Sequence, residues 1–109
     1  MKINSFPPLS VDWDTLNAEK HNGETGFATV KSKMVGEIQI RKVEYSNNYC
    51  ADHWCEKGHI IYVLEGELII EHKDHSIQII GGGMSYFVGD NSMSHKARSK
   101  KGAKVLIID

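Results

Sequence analysis

An all-β chain, folded as an antiparallel sandwich or barrel, follows from three features of the sequence. From about residue 27 onward, apolar and polar residues alternate in short runs. Glycine, asparagine and aspartate punctuate those runs at regular intervals. Helical periodicity is almost absent. Alternation places successive side chains on opposite faces of a strand, and many short strands separated by turn residues suit closed or double-layered antiparallel sheets.

The 109 residues make one domain, with an irregular N-terminal segment, 1–26, packed on a barrel formed by 27–109. Pro7-Pro8 forces an extended entry. Ser10 or Asp12 caps a single helical turn through Trp13 and Leu16. The run from His21 to Gly26 reads as a loop, with His21 and Glu24 in it.

Phe27–Lys31 is the first strand, and Lys33-Met34-Val35-Gly36 a connection. In Glu37–Ser46, Ile38 and Ile40 share one face, Val43 and Tyr45 the other. That change of phase predicts a bulge near Arg41-Lys42. Asn47-Asn48 turns the chain into a strand from Cys50 to Cys55. His59–Leu64 is apolar on both faces, as in a strand buried on both sides. With His59 inward, Ile61 and Val63 are inward too. Gly66 interrupts the pattern. Leu68–His72 and Ser76–Ile80 form a hairpin about Lys73-Asp74, with His72 and His75 at its exposed tip. Gly81 to Gly83 make a corner. Met84–Val88, His95–Ser99 and Ala103–Ile108 complete the set.

A formal net charge of −1 gives no support for nucleic-acid binding. Lys96, Arg98, Lys100, Lys101 and Lys104 read as a solvated strand edge and hairpin. No apolar run is long enough to cross a bilayer, and the first residues lack the apolar stretch of a signal peptide. The expectation is a cytoplasmic protein with reduced thiols. Extended chain between Cys50 and Cys55 would hold their Cα atoms too far apart for a disulfide.

The chemistry concentrates in residues 51–68. His53 and Cys55 are two apart, so an extended strand turns both to one face. Glu56-Lys57-Gly58 turns the chain, and His59 opens the next strand. Two imidazoles and a thiolate suit a borderline or soft transition metal and not magnesium or calcium. Each residue also has a plainer reading: a lone histidine is usually solvated, and a lone cysteine is usually a small buried hydrophobe. The spacing lacks the Cys-x-x-Cys half of a zinc finger.

With His95 at the end of the Gly83–His95 segment, the pattern resembles the cupin superfamily, small jelly-roll barrels. Tyr62-Val-Leu-Glu-Gly-Glu-Leu68 resembles the end of the first cupin motif, with Gly66 as its glycine. His59 then stands at the family's Glu position, Cys55 at its second His and His53 at its first. Gly83 to His95 resembles the second motif, with the usual Pro and Gly missing and a longer loop. Asp52-His53-Trp54-Cys55 is similar to the small single-domain proteins called DHCW-motif cupins. The resemblance implies a cupin barrel whose metal ligands are His53, Cys55, His59 and His95. Relative to the usual three His and one Glu, this set is softer. It favours zinc, with nickel, iron and copper also accommodated. Four such ligands can close a tetrahedral zinc site.

Several functions fit these expectations. The metal serves an enzyme acting on a small molecule in the barrel mouth, with a base drawn from His21 or Glu24. Alternatively it belongs to a non-enzymatic binding module, or is a structural zinc. A fourth reading makes Cys55 a thiol activated by His53 or His59. Asp52 orients a ligand or sits on the rim; Trp54 packs, within the chain or against another subunit; and Tyr62, Tyr86 and Met93 line the barrel mouth. Cupin precedent implies a homodimer.

Overall fold

The computed structural model describes residues 3–109. A 3-10 turn, Trp13–Thr15, is capped by Asp12, whose side chain accepts from the Asp14 N–H. Nine strands follow: β1 Glu19–Asn22, β2 Phe27–Val35, β3 Ile38–Tyr45, β4 Tyr49–Cys50, β5 His59–His72, β6 Ile77–Gly81, β7 Ser85–Val88, β8 His95–Ser99 and β9 Ala103–Ile108. All pair antiparallel, in the order β1-β2-β3-β9-β5-β8-β4, with β6 and β7 also on β5.

β5 organises this sheet. Its first half pairs with β7 and β9, its second with β6 and β8. A register shift between Val63 and Glu65, followed by Gly66 at φ +84°, bends the strand from one layer into the other. A Cβ at Gly66 would collide with the Gly102 carbonyl, so the bend requires glycine. The inward rows, among them Val43, Val63, Leu68, Ile70 and Val105, form the core. Leu68 is fully buried, and truncating such a leucine to alanine costs about 2–5 kcal/mol.

The structure corrects several element readings. β2 runs on to Val35 and pairs with β3 in unbroken register to a tight turn at Gly36, φ +60°. Lys33 to Val35 therefore belong to the strand and not to a connection. β3 has no bulge at Arg41-Lys42, because its register with β2 and β9 is continuous. Arg41 shares the inward face with Val43 and Tyr45, and a charged residue on that face mimics a change of phase. The N-terminal segment, expected to be irregular, contributes β1; all four of its residues are exposed, so no alternation marks it.

Cys50–Cys55 is not one strand. Only Tyr49 and Cys50 are, and the chain then bends at Asp52 and His53. Leu68–His72 is the continuation of the His59 strand. His72 is buried, not a surface residue: its Nε2 lies 2.8 Å from the Tyr86 hydroxyl and its Nδ1 3.2 Å from the Ser76 carbonyl. His75 does sit exposed at the hairpin tip, at φ +73°. Tyr86 faces inward and is buried, whereas Tyr62 lies on the outer, exposed face. Both cysteines are free. Among the described residues, no helix is long and apolar enough to cross a membrane.

Candidate metal centre

His59 is the first residue of β5. The pairing Ile60↔Ile108 extends to set His59 opposite Asp109. Alternation along β9 puts Ala103, Val105 and Ile107 inward, and Asp109 follows them with a side chain 1% exposed. Its backbone is fixed by two hydrogen bonds with Gln39, at 2.7 and 3.0 Å. The buried carboxylate accepts from His59 Nδ1 at 2.8 Å and from Arg41 Nη2 at 2.7 Å, and Lys57 Nζ lies 3.3 Å away.

Burial alone would push the Asp109 carboxyl up. Arg41, His59 and Lys57 outweigh that and hold it below the ordinary carboxylate value. Burial likewise holds His59 below the usual imidazole value, against the pull of Asp109. In the neutral ring Nδ1–H is donated to Asp109, and the Nε2 lone pair points toward Cys55 Sγ.

Cys55 and His95 face each other across an isolated bridge, with N–H···O bonds of 2.8 and 3.1 Å in both directions. His95 opens β8, and its Nδ1 donates to the Met93 carbonyl at 2.8 Å. A carbonyl only accepts, so Nδ1 carries a proton, and in the neutral ring Nε2 is the acceptor nitrogen. It is buried and has no hydrogen-bond partner among the described residues. The segment carrying Cys55 is held to the 89–94 loop by Gly58 N–H to Asp90 Oδ1, 2.7 Å, by Asn91 N–H to the Glu56 carbonyl, 2.8 Å, and by Ser94 to Glu56.

Three ligand atoms, one each from Cys55, His59 and His95, therefore lie within 4.8 Å of one another. Cys55 Sγ is 3.4 Å from His59 Nε2, and the two imidazole rings stand edge-on with centroids 5.2 Å apart. A buried acceptor without a donor costs free energy unless something fills the position. Two nitrogens and a thiolate are the donor set of a borderline or soft metal, so the residues fit such an ion.

His53, the fourth ligand expected from sequence, is not in this set. The bend at Asp52-His53 breaks the alternation that would align it with Cys55. Its side chain is 77% exposed and its Nδ1 pairs with Asp52 Oδ1 at 2.7 Å. Trp54 packs beneath two cations, Lys73 and Lys96. His21 is exposed on β1, near Glu19. Asp109 and Arg41 were not anticipated. Their signal was parity: each is a polar residue in register with an inward apolar row.

β1, β2, β3, β9 and the bend at 52–53 line a cavity of about 460 Å³. Arg41, His53, Val43 and Ile107 are among its walls, and Arg41 connects it to His59 through Asp109; Cys55, His59 and His95 themselves do not line it.

No protein-family model and no curated protein matches the sequence. Solved structures do match the fold. An RmlC-like cupin from Shewanella frigidimarina is 20% identical, with TM-score 0.72 over 90% of this chain and 86% of that one. A predicted oxalate decarboxylase from Thermotoga maritima is 14% identical, with TM-score 0.77 over 92% and 96%. The polyketide cyclase RemF from Streptomyces resistomycificus is 20% identical, with TM-score 0.77 over 94% and 78%. The curled antiparallel sheet hinged on β5, together with these likenesses, identifies the architecture: the chain has the fold of the cupin superfamily.

Proposed function

We propose that Cys55, His59 and His95 hold one divalent transition metal, zinc in the first instance, and that the centre serves a small molecule bound in the barrel. One observation carries this reading. Both histidines commit Nδ1 to a fixed acceptor, Asp109 for His59 and the Met93 carbonyl for His95, and so offer Nε2 to the same place as Cys55 Sγ. Metal-binding histidines are held by such outer partners as a rule. Three protein ligands leave a position for water or substrate, as in catalytic zinc sites, whereas structural sites use four. When bound, the metal supplies Lewis acidity. Asp109 fixes the His59 tautomer, and the Asp52-His53-Trp54-Cys55 segment supports the narrower likeness to DHCW-motif cupins.

The test is elemental analysis of tag-free protein beside Cys55→Ala. About one equivalent of transition metal per chain is expected in the wild type and none in the variant; equal contents would sink the reading. A second reading has its own support, since Cys55 Sγ lies 3.4 Å from His59 Nε2, within reach of thiol activation. Metal-free protein in which iodoacetamide labels Cys55 rapidly at neutral pH, and slowly after His59→Gln, would select it.

The proposed partner is a second copy of this chain. The outer face of β5 carries Ile60, Tyr62 and Leu64, and Phe87 lies opposite Ile60 at 69% exposure. A contiguous apolar sheet face suits an isologous contact. Light scattering should report a dimer for the wild type and a monomer for Phe87→Glu; a monomeric wild type overturns the assignment.

A further inference from the structure

We infer that the 460 Å³ cavity binds its small molecule through a carboxylate, or an oxyanion of like shape, docked on Arg41. The inference rests on the proposed metal centre only in making that cavity the working site.

Arg41 lines the cavity from β3, with its side chain 26% exposed. A guanidinium has five donors. Among the described residues one bond is made, from Nη2 to Asp109, and the buried Nε has no partner. Two carboxylates line the cavity, Glu19 and Asp52, but both belong to the exposed rim, and each already has a histidine, His21 or His53. Solvent screens that rim far more than it screens a partly buried guanidinium. Ser32 and Gln39 add neutral hydrogen-bonding groups to the lining. A planar fork with unspent donors matches a carboxylate in two parallel bonds, which a lysine would not provide.

The experiment compares two probes of the same size, succinate and its neutral diamide succinamide, by titration calorimetry at fixed ionic strength. It is run on the wild type as purified, on Arg41→Gln, on Arg41→Lys and on metal-free Cys55→Ala. Succinate should bind the wild type at least ~10-fold more tightly than succinamide. Arg41→Gln should abolish the preference and Arg41→Lys retain part of it. The preference should persist in Cys55→Ala. Equal binding of the two probes by the wild type overturns the assignment, as does a preference that survives Arg41→Gln. A preference lost in Cys55→Ala places the anion on the metal and overturns the Arg41 assignment while leaving the metal centre intact. A wild type without metal ends the metal reading, yet the probe comparison still decides the role of Arg41. Should Arg41→Gln fail to fold, Arg41→Lys and the probe pair on the wild type still decide it.

Discussion

Two histidines on one short segment, His53 and His59, each hold an aspartate at almost the same distance, 2.7 and 2.8 Å. The chemistry of the two pairs is the same and their physics is not. Asp52 is the chain neighbour of His53, and the pair stands in water on a bend. Asp109 is fifty residues from His59, and the two meet only because β9 pairs with β5. An exposed pair is screened by solvent and salt and contributes little. A buried pair fixes ring plane and tautomer, because little water competes for the carboxylate and strand pairing holds both residues in place. Hydrogen-bond length therefore says little about which histidine is built to bind something; burial and the origin of the partner say more.

Replacing the two aspartates separately gives the sharpest break in that comparison. Asp109→Asn keeps the shape but removes the charge that holds His59, Arg41 and Lys57 together. Loss of such an outer partner typically lowers metal affinity about 10–100-fold. The parallel Asp52→Asn should leave affinity unchanged. Competition against a chromogenic chelator measures both. Equal effects would mean that the exposed pair belongs to the centre after all.

Much of this was legible in the sequence, and the failures share a cause. The β8 and β9 bounds follow from alternation between clear turn residues, Asp12 is the one of the two expected caps, Ser10 or Asp12, that closes the short turn, and Gly66 marked a bend. Cys55, His59 and His95 were named from spacing and resemblance. His53 joined them on the premise that residues 50–55 are extended, and two bends undo that premise. Arg41 and Asp109 escaped notice because inward polar residues look like breaks in a pattern until strand pairing shows which row they complete. His72 looked exposed because it flanks a polar hairpin tip, and only its partner on β7, Tyr86, reveals it as buried.

Acid should separate the two regions by a smaller margin. His59 is held below its ordinary value of 6.5, chiefly by burial, and Asp109 below 3.8. In each case the unfolded chain takes up the proton first as pH falls. Stability from both groups is therefore complete above about pH 6.5; it declines through His59 first, just below that value, and through Asp109 below 3.8. Urea midpoints of chelator-treated protein should fall between pH 7.5 and 5.5. His59→Gln should flatten that fall, and His53→Gln should leave its slope unchanged.

The smallest expected effect is the most exposed one. His53→Gln removes the side chain that spacing alone would make a ligand, from a bend where its imidazole meets mainly water and Asp52. Metal stoichiometry and chelator-competition affinity should match the wild type, and the urea midpoint at pH 7.5 should not move. The experiment bears directly on coordination number. A metal lost on His53→Gln would require the 52–53 bend to straighten around the ion, turning an open three-ligand centre into a closed four-ligand one. The small-molecule role proposed for the centre would then give way to a structural one.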